Sequence, residues 1–153
     1  MFNVLIGCVI CATMLSGEYM QTKDINYYLL NSEQVQVIID NHYYYIYDLS
    51  LLNNEIEQML KDSYEMPAFG VSIHTETLNA IQKGVWLKLQ YNGTQSANDM
   101  PFDELLIEVN YECEGFNIIR GNKGIFEGRC YYINLQNTSM TNLYNYLTKI
   151  KVK

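Results

Sequence analysis

The chain has 153 residues, of which 48% are hydrophobic and 18% are charged, and its formal net charge is −7. This length suits one domain with a sizeable core, and the high apolar content excludes intrinsic disorder. Nucleic-acid binding needs clustered cations that displace phosphate counterions, but the sequence has only two arginines, Arg120 and Arg129, and no basic stripe. Composition therefore predicts an acidic single-domain protein and excludes a nucleic-acid partner.

An apolar run over residues 2–15, interrupted by Asn3 and Thr13, opens the sequence. It is shorter than the roughly 20 residues of a membrane-spanning helix and has the length of the apolar part of a signal peptide. We therefore expect residues 1–16 to be an export or anchor segment and residues 17–153 to form a single α+β domain. The expected location is extracytoplasmic, either membrane-anchored through this segment or secreted. The alternative is a cytoplasmic protein that buries the run as its first element.

Within this run, Leu5-Ile6-Gly7-Cys8 resembles the lipobox of bacterial lipoproteins. In that family the cysteine after the small residue is diacylated and becomes the new N-terminus, so the resemblance implies lipidation of Cys8. A lipobox normally follows a basic segment, which is missing here. A start codon upstream of Met1 would supply one.

The first predicted elements of the body are a hairpin and an amphipathic helix. β-Branched and aromatic runs at 35–40 and 43–47 flank Asn41 and His42, which tolerate left-handed backbone, so we expect these two residues to form the hairpin loop. Ser50 can cap a helix with one apolar face, which comprises Leu52, Ile56, Met59, Leu60 and Tyr64. A short strand at 69–74 and a brief helix at 75–84 follow.

The second half of the body is predicted to be mainly strands. Residues 85–91 and 105–113 alternate apolar and polar side chains, residues 92–100 have the composition of a loop, and a strand pair spans 116–135. Ser139 can cap a last helix, whose apolar face comprises Met140, Leu143, Leu147 and Ile150. The order of elements predicts an α+β fold, with a mostly antiparallel sheet and amphipathic helices packed on one face.

Two cysteines of the body are candidates for a disulfide. If Gly121 and Asn122 form the turn of the last hairpin, Cys113 lies directly opposite Cys130. In an oxidising compartment such a pair is expected to form a structural bridge. A four-residue loop over 121–124 would leave the cysteines diagonal, and two free core thiols are the remaining alternative.

Candidate catalytic groups are few. His42 and His74 are the two histidines, so we expect no metal site and no cofactor. Carboxylates are frequent around the strand at 105–113, where their spacing is typical of a solvated face; they are Asp103, Glu104, Glu108 and Glu112. The enzymatic alternative is a small hydrolase that uses His74 with a nearby carboxylate or thiol.

Tyrosine is unusually abundant, with fourteen residues. Alternation along the first hairpin puts Tyr43, Tyr45 and Tyr47 on one face, opposite an apolar face. If exposed, these rings would form a platform for a sugar, peptide or protein, because tyrosine offers amphipathic contact area at low entropic cost. If buried, they would be the second face of a central strand. Codon bias in an AT-rich genome would also enrich tyrosine.

The segments 100–109 (MPFDELLIEV) and 127–131 (EGRCY) are similar to an uncharacterised family of small exported clostridial proteins. The resemblance implies an exported protein of a Gram-positive bacterium and assigns no activity. Together with the tyrosines, it favours a non-enzymatic, envelope-associated or secreted module that binds a protein or glycan at the cell surface.

Overall fold

The computed structural model describes residues 27–28, 31–72, 75–97 and 100–150, which contain seven strands and three helices. The elements in chain order are β1 Gln34–Ile39, β2 His42–Tyr45, α1 Leu49–Leu60, β3 Ser63–Ser72, α2 Thr75–Ala80, β4 Val85–Ala97, β5 Met100–Val109, β6 Gly115–Asn122, β7 Ile125–Leu135 and α3 Thr141–Ile150. The strands form one antiparallel sheet in the order β2-β1-β4-β5-β6-β7-β3, so β2 and β3 are its edges. This confirms the predicted α+β class with a mostly antiparallel sheet.

The first hairpin is confirmed, but its loop lies one residue earlier than predicted. Ile39 pairs with His42, and the loop residues Asp40 and Asn41 have φ angles of 48° and 64°. Positive φ at both loop positions matches the twist of the flanking strands, and Asp and Asn accept it at little cost. Moving the loop by one residue changes the pairing of the two strands by two positions. Because side chains alternate with a period of two, every side chain of the hairpin keeps its predicted face.

Two apolar clusters hold the sheet and helices together. The larger one joins α1 and α3 to the sheet and includes Leu52, Ile56, Met59, Leu60, Leu143 and Leu147 together with Val37, Leu87, Leu89, Leu105, Ile107 and Ile118. The smaller one contains Ile38, Trp86, Leu106 and Ile119, with Ala80, Ile81 and Phe126 packed against it. The Trp86 indole N–H lies 3.2 Å from both Ala80 O and Lys83 O, which fastens the end of α2 to the sheet.

Helix α1 presents the predicted apolar face but starts and ends differently. Asp48, not Ser50, is the capping residue: its carboxylate accepts hydrogen bonds from the backbone N–H and the hydroxyl of Ser50. The helix ends at Leu60, so Tyr64 belongs to β3 rather than to the apolar face. Helix α3 begins at Thr141, and Met140, whose carbonyl accepts from Tyr144 N at 2.8 Å, directly precedes it; Ser139 lies one residue earlier than the cap position and accepts from Thr141 N through its Oγ at 3.4 Å.

The predicted loop at 92–100 is largely strand. After an irregularity between Gln90 and Gln95, β4 resumes pairing with β5 as far as Ala97 and Met100. Gly93, with φ of 93°, lies within this irregularity and supplies the left-handed conformation that it needs.

Among the described residues Cys113 is a free thiol. The side chain of Cys130 lies outside what the structure describes, so the Cys113–Cys130 disulfide stays a prediction. Strand β5 ends at Val109, and Glu112, with φ of 58°, helps to reverse the chain before Cys113. The last hairpin turns at residues 123–124, whose φ angles are 52° and 79°, so the predicted turn at 121–122 is wrong. Cys130 lies in β7 where the pairing with β6 shifts register.

Candidate functional site

A groove of about 710 Å³ lies beside β2, which is an edge strand of the sheet in the described part of the chain. Its lining comes from β2, from the segment that leads into α1, and from the last turn of α3: Tyr43, Tyr44, Tyr45, Tyr47, Asp48, Leu51, Tyr146, Lys149 and Ile150. We call it the tyrosine groove. The three tyrosines singled out by the sequence all line it, with exposed fractions of 52% for Tyr43, 48% for Tyr45 and 90% for Tyr47.

The tyrosine groove follows the strand edge rather than one face of the sheet. Successive side chains of a strand point to opposite faces, yet the consecutive residues Tyr43, Tyr44 and Tyr45 all line the same groove. Tyr44 also packs against the larger apolar cluster. An occupant of the groove would therefore meet the edge of the backbone as well as aromatic rings.

Backbone hydrogen bonds of β2 alternate between inward and outward directions. Ile46 N donates to Val35 O at 3.0 Å, which makes this pair a hydrogen-bonded pair of the antiparallel ladder. By alternation Tyr44 also faces β1, whereas the N–H and C=O groups of Tyr43 and Tyr45 point away from it. Within the described residues, no hydrogen bond joins these outward groups to another part of the chain.

Two of the exposed rings form a joined aromatic surface. Tyr45 and Tyr47 stack, with ring centroids 6.3 Å apart and ring planes 28° from parallel. Tyr47 lies just beyond β2 in the link to α1, so the stack extends the aromatic surface past the end of the strand.

The helical side of the groove is joined to its strand side by Tyr146, whose hydroxyl donates to Asp48 O at 3.5 Å. Burial raises the pKa of the Tyr146 phenol, and the negative charges of Asp48 and Glu55 raise it further. Hydrogen bonds from Ser50, through its side chain and then its backbone, lower the pKa of the Asp48 carboxyl. At neutral pH Tyr146 is therefore a neutral hydrogen-bond donor, and Asp48 is an anion beside the groove.

The other predicted candidates either lie away from this groove or fall outside the described residues. His42 opens β2, is exposed, and has its Nδ1 2.9 Å from Asp40 O. His74, Cys8 and the segment 1–16 lie outside the described residues. Among the residues that the structure describes, no three His, Cys, Asp or Glu side chains form a group that could hold a metal ion.

One of the strand carboxylates is buried, so the prediction of a solvated face is wrong for Glu104. It is 4% exposed, and its Oε2 forms an ion pair with Lys88 Nζ at 2.8 Å. This pair borders a second cavity of about 320 Å³. A third cavity, of about 500 Å³, lies between α1 and the start of α3. Tyr91 is the one aromatic residue in the lining of the second cavity, and the lining of the third has none.

Sequence reasoning missed the helical half of the groove. Leu51, Tyr146 and Lys149 carried no signal of their own, and Ile150 was assigned to the apolar face of the last helix. The helical period could have placed Tyr146 near Leu143 and Ile150. Its approach to Asp48, 98 positions earlier in the chain, depends on tertiary packing.

No helix in the described part of the chain is both long and apolar enough to cross a membrane. No family model, no curated protein and no solved structure matches the chain.

Proposed function

We propose that this protein is a non-enzymatic binding module that holds a protein or glycan partner in the tyrosine groove. The supporting observation is that Tyr43, Tyr45 and Tyr47 are exposed together along one groove of about 710 Å³. This volume lies within the range of about 300–1,000 Å³ that is typical of ligand sites. Clustered exposed aromatic side chains cost solvation free energy, and a bound partner recovers it.

The chemistry of the groove suits recognition rather than turnover. Tyrosines provide rigid contact area, and their hydroxyl groups add hydrogen bonds. The ionisable groups in its lining other than tyrosine are Asp48 and Lys149. Asp48 is engaged as the cap of α1, so it is not positioned as an acid or base. We infer further that α1 and α3 pack on one face of the sheet, which leaves the edge of β2 open beside them.

We propose an exported protein of a Gram-positive bacterium, either anchored in the cell envelope or secreted. This part of the proposal rests on the apolar segment 1–16, on the lipobox-like sequence at Cys8 and on the resemblance to exported clostridial proteins. The intact mass of the protein from its own host tests it. A chain that begins at a diacylated Cys8, or just after residue 16, supports export, whereas an unmodified chain that begins at Met1 in the cytoplasm contradicts it.

The binding function is tested by screening the purified protein against a glycan array and a displayed peptide library. Tyr45→Ala removes one ring of the stack, and Tyr111→Ala removes an equally exposed ring (54%) outside the groove as the matched control. Ligands of the groove should lose about tenfold or more in affinity on Tyr45→Ala and keep it on Tyr111→Ala, as for an aromatic hot spot. If neither screen yields a ligand, or if Tyr45→Ala binds every ligand as the unmodified protein does, the proposal is wrong.

A further inference from the structure

We propose that the occupant of the tyrosine groove is an extended, basic segment of a partner polypeptide, which adds to β2 as an eighth strand of the sheet. This inference rests on the proposed function and adds to it the class of partner and the mode of binding. Four observations carry it: the direction of the backbone groups of β2, the contrast between the two sheet edges, the shape of the groove and the distribution of charge.

The backbone of β2 presents a hydrogen-bonding pattern that no other described residue uses. Tyr43 and Tyr45 each present one outward N–H and one outward C=O group. Tyr44 lies between them, so the two residues are about 7 Å apart along the strand. Alternate residues of an added strand repeat at the same distance, so one extended segment could satisfy all four groups. A glycan has no such repeat of donors and acceptors.

The two edges of the sheet differ in how they are protected. Proteins commonly block an exposed edge with proline, lysine, a bulge or a covering segment, because an open edge pairs with other strands. Edge strand β3 contains Pro67 and an irregular register between Pro67 and Val71. Edge strand β2, with the sequence HYYY, contains neither proline nor lysine, and its register with β1 is regular.

The groove provides a second wall for an added strand. Tyr146 and Ile150 of α3 and Leu51 of α1 line it together with the β2 tyrosines. A strand lying along β2 would therefore place its side chains against the helix ends and against the Tyr45–Tyr47 stack. This arrangement buries apolar surface in addition to forming main-chain hydrogen bonds.

Charge favours a basic segment over a second copy of this chain. Asp48 borders the groove, and its charge and that of Glu55 act on Tyr146. A symmetric antiparallel pairing of two β2 strands that joins Tyr43 to Tyr45 would bring Asp40 of one copy toward Asp48 of the other, and each copy has a net charge of −7. The cation in the lining, Lys149, lies on α3 rather than on the strand. Lysine or arginine side chains of a partner would instead pair with these aspartates and lie over the tyrosine rings.

The first test uses a blocked heptapeptide that alternates lysine and valine, with a glutamate–valine peptide as its charge-reversed control. Affinity is measured by fluorescence anisotropy at low salt, and amide hydrogen exchange is measured by NMR. We expect the basic peptide to bind at least about tenfold more tightly than the acidic one and to slow exchange at Tyr43 and Tyr45. Two further peptides are methylated on alternate backbone nitrogens. Methylation of the nitrogens that face β2 should weaken binding, whereas methylation of those that face away should not.

A pair of variants separates backbone pairing from ring stacking. Tyr45→Ala removes the ring, whereas Tyr45→Pro removes both the ring and the outward N–H, and an edge strand tolerates proline at such a position. We expect Tyr45→Pro to bind the basic peptide several-fold more weakly than Tyr45→Ala, with both chains folded by circular dichroism. The peptide-methylation series gives the same information if Tyr45→Pro does not fold.

The possible outcomes distinguish this inference from the proposed function. A glycan or peptide that binds the groove without slowing exchange at Tyr43 and Tyr45 overturns strand addition but leaves a binding module. Slow exchange at both residues without peptide, together with a dimeric mass in solution, identifies a second copy as the occupant and also overturns the inference. No ligand of either class at the groove contradicts both.

Discussion

The rings of Tyr45 and Tyr47 stack with their centroids 6.3 Å apart, although Tyr47 is 90% exposed and Tyr45 is about half exposed. The stack therefore lies in solvent and supports no part of the core. We therefore expect the stack to contribute little to folding and, under the proposed function, to contribute to binding.

Replacement of Tyr47 by alanine should separate binding from stability. We expect Tyr47→Ala to change the free energy of unfolding by no more than about 0.5 kcal/mol, because the ring is almost fully exposed. Its affinity for a ligand of the groove should fall by about tenfold, whereas Tyr47→Phe should retain most of it. Urea unfolding and fluorescence anisotropy of the three proteins check both parts. A large loss of stability in Tyr47→Ala would show that the ring supports the fold.

The shared face of these tyrosines follows from local sequence, whereas their exposure and the rest of the groove depend on the position of β2 at the edge of the sheet. Alternation along a strand assigns Tyr43 and Tyr45 to one face whichever two-residue loop connects the hairpin, so an error of one residue in the loop left the faces unchanged. Tyr146 reaches Asp48 only because α3 packs against the larger apolar cluster. No local pattern encodes that contact.

The predicted turn at 121–122, which would have placed Cys113 opposite Cys130, shows the opposite case, because small local differences changed the register of the last hairpin. The turn residues Lys123 and Gly124 both take positive φ, as Gly121 and Asn122 could also have done. A register shift within the β6–β7 pair and the reversal at Glu112 then separate Cys113 from the strand position opposite Cys130. Sequence reports which residues tolerate a turn, but the packing of the whole sheet selects among them.

The cap of α1 should make stability depend on pH through Asp48. Hydrogen bonds from Ser50 lower the pKa of this carboxyl in the folded chain below its ordinary value of 3.8. The ionised carboxylate therefore contributes stability above pH 3.8, and this contribution is lost as the pH falls through the folded pKa. Asp48→Asn keeps a capping oxygen without the charge. We expect its stability to approach that of the unmodified protein as the pH is lowered through this range, measured by urea unfolding from pH 7 to pH 2.5. If the difference in the free energy of unfolding between Asp48→Asn and the unmodified protein stays constant with pH, the charge of Asp48 has no such role.

We expect Cys113 to be a free thiol that reacts slowly with alkylating agents. Burial raises the pKa of its thiol above the ordinary value of 9.0, and the negative charges of Glu108 and Glu114 raise it further, whereas a hydrogen bond from the backbone of Gly115 lowers it. The thiolate is the reactive form, so alkylation by iodoacetamide should be slower in the native protein than in the urea-unfolded chain. The pH midpoint of the native rate should lie above 9.0. Peptide mass mapping distinguishes Cys113 from the other three cysteines. Recovery of a Cys113–Cys130 peptide, or equal rates in the two states, would show that the free, half-buried thiol is not the state in solution.

Removal of one partner of the ion pair between Lys88 and Glu104 should lower the free energy of unfolding. Their side chains are 17% and 6% exposed, and Oε1 of Glu104 has no hydrogen-bond partner in the described structure. Lys88→Met would leave a buried carboxylate without its cation, so we expect a loss of about 3 kcal/mol in the free energy of unfolding. The double variant Lys88→Met/Glu104→Met should recover most of this loss, because an apolar pair of similar volume needs no charge compensation.

Gly121 sets the space in which this pair lies. A Cβ atom at that position would be 2.5 Å from Cγ of Glu104, so Gly121→Ala must displace the buried carboxylate and should also destabilise the fold. A double-mutant cycle in urea over Lys88→Met, Glu104→Met and their combination measures the coupling free energy of the pair. If the free energy of unfolding of Lys88→Met lies within about 0.5 kcal/mol of that of the unmodified protein, water screens the pair and its burial does not govern stability.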